Sequence, residues 1–90
     1  MREGSVKVVN QLGLHARAAA QVVRVASNFK SRISLLNSAR NAEADARSIL
    51  NMLTLSASAG TALFLKVEGE DENEAYEAIL ALFASGLGEL

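Results

Sequence analysis

The spacing of apolar residues along this 90-residue chain switches repeatedly between a two-residue period and the spacing of a one-sided helix. Strand-like segments lie at residues 5–10, 31–37, 40–44 and 61–68, and helical segments lie at 16–28, at 47–55 and between Asp71 and Gly86. The order is therefore β-α-β-β-α-β-α. Each helix has one apolar side, so we expect the three helices to cover one face of an antiparallel sheet.

The second face of the predicted sheet is polar. Along the strands, the positions opposite the apolar ones include Lys7, Arg32, Ser34, Lys66 and Glu68, which predicts a solvated face. The fold class is thus α+β, an open-faced sandwich with a four-stranded antiparallel sheet and three helices on one face. Residues 1–90 are expected to form a single domain, since no linker or internal repeat divides them.

Local patterns predict the helix starts and the inward-facing positions. Ser48 is a suitable N-cap for the second helix, and Asp71 with Glu74 has the form of a capping box for the third. The residues expected to face inward are Ala19, Ala20, Val22, Val23 and Ala26 in the first helix, and Ala75, Ala78, Ile79, Leu82 and Phe83 in the third.

Composition excludes several classes of site. The chain has no cysteine and a single histidine, which excludes a disulfide framework and a thiolate or histidine-rich metal centre. We expect neither a metal nor an organic cofactor. There is no run of about 20 apolar residues to cross a bilayer and no signal peptide at the start, so we expect no membrane insertion and a cytoplasmic location.

Charge is balanced overall but unevenly distributed. Nine basic and ten acidic residues argue against a nucleic-acid partner. Residues 1–42 hold seven basic residues and one acidic residue, whereas residues 43–90 hold two basic and nine acidic ones. One interpretation is a surface suited to an acidic partner or a phosphate, and the other is an ordinary solvated distribution of charge.

The single histidine, His15, lies where a glycine-containing loop meets the first helix. The backbone N–H groups of Ala16, Arg17 and Ala18 are unpaired at a helix start, and the guanidinium of Arg17 suits phosphate recognition. The imidazole of His15 is a nucleophile near neutral pH. These residues could accept and pass on a phosphoryl group; alternatively, His15 is a simple helix cap and Arg17 a solvated charge.

The segment Asn10-Gln11-Leu12-Gly13-Leu14-His15-Ala16-Arg17-Ala18-Ala19 resembles the active-site signature of the HPr family. Members of this family are histidine-containing phosphocarriers of the phosphoenolpyruvate-dependent sugar phosphotransferase system. The resemblance continues through residues 26–29, 46–50 and 68–72 and into Gly86-Leu87-Gly88-Glu89, and so covers the chain in the family's order. It implies the same open-faced sandwich.

By this resemblance, His15 is the residue phosphorylated, on its Nδ1 atom, and Arg17 stabilises the phosphate. The donor would be phospho-enzyme I and the acceptors enzyme IIA domains. Ser48 occupies the place of the family's regulatory serine, which implies an HPr kinase/phosphorylase and a transcriptional regulator as further partners in some lineages. The alternative is a regulatory paralogue, either a nitrogen-branch carrier or a module that binds a transcription factor through phosphorylated Ser48. We expect a monomer.

A partner-binding surface is expected beside His15. Ile49, Met52 and Leu53 cannot all point inward on so short a helix, so some of Leu14, Ile49 and Met52 are expected to form an exposed apolar patch. The alternative is that all of these are core residues. Arg24 and Arg47 are expected to contribute charge to the same surface.

Two positions depart from the family pattern. Ala18 stands where the family usually has proline, which suits the first turn of a helix because its missing N–H is not needed there. Alanine keeps the helix and adds an N–H, so we expect the chemistry to persist. Arg47 replaces a frequent lysine, which bears on recognition by a kinase.

Overall fold

The computed structural model describes residues 1–89 of the chain. The strands are β1 (Arg2–Lys7), β2 (Arg32–Asn37), β3 (Ala42–Asp45) and β4 (Ala62–Glu68), and the helices are α1 (Ala16–Ala26), α2 (Ile49–Leu53) and α3 (Glu72–Ala84). A single 3-10 turn, Ser38–Arg40, joins β2 to β3. The predicted order of elements is confirmed.

The four strands form one antiparallel sheet in the order β1-β4-β2-β3. On the helix-facing side, Ile33 is opposite Val67 and Leu35 is opposite Leu65, and all four side chains are buried. On the other side, Arg32 is opposite Glu68 and both are exposed. The predicted open-faced sandwich is therefore confirmed, with its core between the sheet and the helices.

The first strand lies earlier in the chain than the alternation predicted. It covers Arg2–Lys7 instead of residues 5–10, because its partner β4 pairs with residues 2 to 7. Val6 and Val8 are nevertheless both buried, as expected. Val8 lies beyond the end of β1 but is still hydrogen-bonded to the chain that leads into β4. Its N–H donates to the Thr61 carbonyl at 2.9 Å, and its carbonyl accepts from the Gly60 N–H at 2.7 Å.

Helix α1 begins at Ala16, as predicted, and ends at Ala26, two residues before the expected end. The prediction of its inward face was partly wrong. Ala18 is fully buried, whereas Ala20 is exposed and Val23 only half-buried. The helix is rotated relative to the expected phase, so that its contact with the core runs through Ala18, Ala19, Val22 and Ala26. In α3, Tyr76 joins the expected core positions, and Ala78 and Leu82 are half-buried.

The predicted capping box at the start of α3 is wrong. The Asp71 carboxylate instead accepts hydrogen bonds from Lys30 N at 2.8 Å, Ser31 N at 2.9 Å and Ser31 Oγ at 2.5 Å. Asp71 therefore ties the start of α3 to the chain that enters β2, which local sequence does not reveal. The Ser31 hydroxyl, together with the two backbone N–H groups, holds the pKa of the Asp71 carboxyl below its usual value, against the opposing effect of burial.

None of the helices formed by residues 1–89 is both long enough and apolar enough to cross a membrane.

Candidate functional site

A tight loop delivers the chain into α1. The N–H of Gly13 donates to the Asn10 carbonyl at 3.1 Å, and the N–H of Leu14 donates to the Ala57 carbonyl at 2.8 Å. Gly13 has φ of 72°, and a Cβ atom there would lie 2.7 Å from the Ala57 oxygen. Only glycine suits this position, because it accepts both the left-handed backbone and the close approach. The loop that precedes His15 is thereby fixed against the segment that contains Ala57.

His15 is the N-cap of α1, and its ring closes on the helix start. The Nδ1 atom accepts a hydrogen bond from the backbone N–H of Arg17 at 3.3 Å, and the first intrahelical bond runs from Ala19 N to the His15 carbonyl at 2.8 Å. The N–H groups of Ala16, Arg17 and Ala18 precede that bond, at the positive end of the helix. The side chain is 29% exposed, so the ring remains open to solvent.

The opposite ring nitrogen of His15 is held by Glu89. Nε2 lies 2.7 Å from Glu89 Oε2, and the other carboxylate oxygen accepts from Asn10 Nδ2 at 2.7 Å. Burial alone would raise the pKa of the Glu89 carboxyl, but the hydrogen bonds from Asn10 and His15 and the nearby cations outweigh it, and the pKa is lowered. An ionised carboxylate can only accept, so Nε2 carries the proton and Nδ1 carries the lone pair.

Neither Asn10 nor Glu89 was predicted as a site residue, although both fall within the segments that carry the resemblance. Glu89 is 74 residues from His15 and 79 from Asn10 along the chain, so no local spacing links them. What brings Glu89 to the site is the turn after α3, where Gly86, Leu87 and Gly88 all have positive φ. In the sequence, Gly86 indicates only where the third helical segment ends.

Arg17 lines an open cleft of about 300 Å³ together with Gln11, Leu12, Gly88 and Glu89, the last of which contacts the His15 ring. The cleft brings one cation and one carboxylate to the same surface as the ring. The structure thus places both predicted chemical residues, His15 and Arg17, at the start of α1.

Ser48 is the N-cap of the five-residue helix α2, as predicted. Its Oγ accepts from the backbone N–H of Asn51 at 3.1 Å, and the side chain is half-buried. A structural role as a cap is therefore certain for this residue, whatever else it does.

Of the three residues from which an exposed apolar patch was expected, the structure exposes Ile49 and buries Leu14 and Met52. Leu14 is only 6% exposed and Met52 is fully buried, so both belong to the core. Met52 points inward because α2 packs against α1 and β3 and can bury only one side. Ile49 is exposed, as expected, and Leu50 and Leu53 on the same helix are exposed as well. These three residues, Ile49, Leu50 and Leu53, are called the α2 patch below.

The two further arginines in the predicted surface differ. Arg24, in the last turn of α1, is exposed and contacts the Gln21 side chain on the same helix. The guanidinium of Arg47 donates to two backbone carbonyls, those of Phe29 and Ser31, the latter at 3.1 Å. Arg47 therefore secures the connection between α1 and β2, which occupies donors that a partner would otherwise use.

No group of three or more ligating side chains that could hold a metal ion is found within the described part of the chain.

Comparison with known proteins gives the family. The family model described as "PTS HPr component phosphorylation site" matches residues 2–85. Phosphocarrier protein HPr of Cupriavidus necator is 39% identical over 89 residues, covering 99% of this chain and 98% of that protein. Phosphocarrier protein NPr of Proteus mirabilis is 39% identical over 84 residues, covering 93% and 92%. The crystal structure of HPr-C-His from Thermoanaerobacter tengcongensis matches with a TM-score of 0.92 and 39% identity, covering 100% of this chain and 99% of that one. The chain therefore belongs to the PTS HPr family of phosphocarrier proteins.

Proposed function

We propose that this protein is a phosphoryl carrier that accepts a phosphoryl group on Nδ1 of His15 from phospho-enzyme I and passes it to enzyme IIA domains. Membership of the HPr family and the geometry at the start of α1 both support this function. The protein is a substrate of its partners and turns nothing over alone. It fits a transfer step because a nucleophile is present and its ring is held by Glu89 and the Arg17 N–H.

The observation that carries the proposal is the state of the His15 ring. Nδ1 accepts from the Arg17 N–H, while Nε2 is 2.7 Å from Glu89, so the ring presents its lone pair at the helix N-terminus. A phosphoryl group bound to Nδ1 would replace Nδ1 as the acceptor of the Arg17 N–H. Its oxygens would then accept from the backbone N–H groups of the first turn. These donors and the helix dipole favour a bound anion.

Arg17 is proposed to hold the phosphoryl group during transfer. Arg17 lines the cleft that Glu89 also lines, and a guanidinium can bind two phosphate oxygens at once. Ala18, in place of the usual proline, contributes an additional N–H at the same helix end and is buried in the core. The helix therefore keeps its start and gains a donor.

The surface for enzyme I and IIA domains is proposed to be the α2 patch together with the exposed arginines of α1, Arg17 and Arg24. The α2 patch offers an apolar centre, with Leu50 79% exposed. Helix α1 packs against α2, which brings the charged and apolar parts onto neighbouring elements. An apolar centre with arginine at its border suits a partner that presents acidic side chains.

Phosphorylation of Ser48 is proposed as a regulatory event. Its hydroxyl lies at the start of α2, the helix that carries the α2 patch. A phosphate there would add negative charge to a surface that faces acidic partners and a phosphohistidine. The expected consequence is weaker exchange at His15, and a kinase and a transcriptional regulator would be the additional partners.

The test is incubation with phosphoenolpyruvate and purified enzyme I, followed by intact-mass measurement at mildly alkaline pH. We expect a gain of one phosphoryl group that is lost after acid treatment, as phosphohistidine is. Because the chain has a single histidine, this result identifies His15. No gain, while the same enzyme I charges a control carrier, would contradict the proposal and favour a regulatory module centred on Ser48.

The branch of the phosphotransferase system is a separate choice. Relatives called HPr and NPr are both 39% identical to this chain, so identity does not separate them. Coverage does not separate them either, because a relative called HPr and the relative called NPr each cover 93% of this chain. Parallel incubations with the enzyme I of each branch would do so, through the ratio of the two phosphorylation rates.

A further inference from the structure

The turn that follows α3 has an unusual backbone. Gly86, Leu87 and Gly88 have φ of 78°, 59° and 81°, three consecutive residues in the left-handed region. A leucine rarely adopts this conformation, so the surrounding structure must hold it. Leu87 is 1% exposed and its N–H donates to the Leu82 carbonyl at 3.0 Å, which anchors the turn in the core.

This turn delivers Glu89 to the site. The Glu89 N–H donates to the Gly86 carbonyl at 3.0 Å. The Glu89 carboxylate then contacts two side chains near the start of α1. One oxygen meets His15 Nε2 and the other meets Asn10 Nδ2, each at 2.7 Å. Both oxygens of the carboxylate are therefore engaged, and its plane is fixed.

Asn10 is fully buried, and its amide has no freedom of its own. Nδ2 donates both to Glu89 and, at 2.7 Å, to the Gly13 carbonyl in the loop before His15. Turning the amide over would place its oxygen against a carboxylate and a carbonyl, which is repulsive. Asn10 thus connects the loop that precedes the histidine to the carboxylate that holds the histidine ring.

We propose that Asn10 and Glu89 are positioning residues for phosphoryl transfer at His15. Asn10 holds the Glu89 carboxylate, and Glu89 keeps the proton on Nε2 and sets the plane of the ring, so that Nδ1 faces the incoming phosphoryl group. This inference rests on the proposed function. It adds the residues that prepare the nucleophile, which neither the motif nor the family description assigns.

The transfer step is balanced without another reactant. The Nδ1 lone pair gives up its hydrogen bond from Arg17 N and forms a bond to phosphorus, while the bond from phosphorus to the donor atom of the phosphorylated partner breaks and that electron pair returns to the donor. The Nε2 proton stays in place. As Nδ1 becomes bonded, positive charge develops on the His15 ring, and the Glu89 carboxylate at 2.7 Å stabilises it in the transition state.

The experiment compares four variants with the wild type: Glu89→Gln, Glu89→Ala, Asn10→Ala and, as a control, Glu43→Gln. Glu43 is an exposed carboxylate on β3 at the far edge of the sheet order from β1. Two quantities are measured: the initial rate of phosphorylation by enzyme I and phosphoenolpyruvate, and the NMR signal of the Nε2 proton of His15. A proton held by a carboxylate exchanges slowly with water and resonates far downfield.

Loss of one charge-assisted hydrogen bond in the transition state should slow phosphorylation about tenfold in Glu89→Ala. In Glu89→Gln the proton signal should persist but move upfield, because the acceptor is neutral, and the rate should be intermediate. Asn10→Ala should broaden the signal and slow the reaction less than Glu89→Ala does. The control should match the wild type in both measurements.

Equal rates and an unchanged Nε2 signal in the Glu89 variants would overturn the inference while leaving the carrier function standing. Asn10 is buried, so its variant could simply unfold; Glu89, beyond the last helix, reports on the same contact without that difficulty. Failure of the wild type to take up phosphate would instead refute the proposed function. The two failures are therefore distinguishable.

Discussion

Helices α1 and α3 differ in the charge of the residues at their N-terminal ends. The first turn of α3 carries Glu72 and Glu74, and Asp71 is its N-cap. These carboxylates neutralise the positive end of the helix dipole within the chain itself. Asp71 also accepts three hydrogen bonds from Lys30 and Ser31, so this end is locked to the sheet.

The first turn of α1 carries no acidic residue, and its N-cap is a histidine. Arg17 adds positive charge to an end that is already positive. Among residues 1–89, the carboxylate that reaches the cap is that of Glu89, which contacts Nε2 and leaves the Nδ1 side of the ring to the backbone donors. The first turn of α1 itself therefore supplies no negative charge to its own backbone N–H groups.

The difference shows how one physical feature serves two ends. At α3, Glu72 and Glu74 place negative charge in the first turn, and Asp71 ties this end to the chain that enters β2, so the end contributes to the stability of the fold. At α1, the first turn has no acidic residue, and under the proposed function a phosphoryl group on His15 would supply that charge. Substitutions at α1 should therefore change phosphoryl transfer with little effect on stability, and substitutions at α3 should do the reverse.

The largest expected effect is that of His15→Ala, which should abolish phosphoryl acceptance because it removes the nucleophile. The melting temperature should fall by no more than a few degrees, since the substitution removes the cap bond to Arg17 N and the contact with Glu89 but no apolar core side chain. Intact mass after incubation with enzyme I and a thermal melt measure the two quantities. Arg40→Ala, in the exposed turn before β3, is the matched control and should accept phosphate normally.

Arg17→Ala should slow phosphorylation by about tenfold to a hundredfold without abolishing it, because the backbone donors remain. The comparison is between initial rates, again with Arg40→Ala beside it as the substitution of an exposed arginine. If the Arg17 variant reacts at the wild-type rate, the guanidinium is not part of the site.

At the other end, Asp71→Ala should lower the melting temperature by several degrees. The substitution leaves the buried Ser31 N–H and hydroxyl without their acceptor. The rate of phosphoryl acceptance, measured well below the melting temperature, should not change. Glu70→Gln serves as control, because the ion pair of Glu70 with Lys30 is exposed and of little consequence for stability. A slower reaction in the folded Asp71 variant would contradict the division between the two ends.

The same contact makes stability depend on pH. The pKa of Asp71 is lowered in the folded state, so its contribution is present in full above the ordinary carboxyl pKa of about 4 and is lost as the pH falls through the lowered value. The difference in melting temperature between the wild type and Asp71→Ala should accordingly shrink as the pH falls from about 5 to about 2. A difference that stays constant over this range would show that the charge of Asp71 does not matter.

The sequence predicted the elements of the fold well and their ends less well. Alternation identified β2 and β4 because their apolar residues face a single core, as Ile33, Leu35, Leu63 and Leu65 do. The start of β1 was predicted wrongly because the extent of an edge strand depends on how far its partner pairs with it. Here Arg2 pairs with Val67 near the end of β4, which the sequence of β1 does not reveal. The capping box failed for the same reason: the acceptor in Asp71 was recognised, but its donors lie 40 and 41 residues away.

The chemical residues of the site were predictable because they are adjacent in the chain. His15 and Arg17 lie on one loop and one helix turn, and the resemblance gave them roles. Glu89 was missed because it reaches His15 only through a turn of three left-handed residues. Met52 was placed on the surface because a five-residue helix does not reveal which side packs against its neighbours.

The start of α2 provides the smallest and most discriminating effect. Ser48→Ala removes the hydrogen bond to Asn51 N and should lower the free energy of unfolding by about 1 kcal/mol. Ser48→Asp keeps a side-chain acceptor at the cap, so its stability should remain near that of the wild type. Its added charge should nevertheless weaken binding to enzyme I, which Ser48→Ala should not do.

Titration of enzyme I with each Ser48 variant, followed by a thermal melt of the same samples, separates charge from capping. Equal affinity of Ser48→Asp and wild type would remove the electrostatic basis for regulation at this residue. Weaker binding by Ser48→Asp alone would show that the start of α2 serves both the fold and the interaction with partners. Its N-cap side chain accepts from a backbone N–H of the first turn, as that of α1 does and that of α3 does not. As at α1, an added negative charge would change the interaction with the partner. The sign would be opposite, because at α2 the charge repels an acidic partner, whereas at α1 the proposed phosphoryl group completes the site.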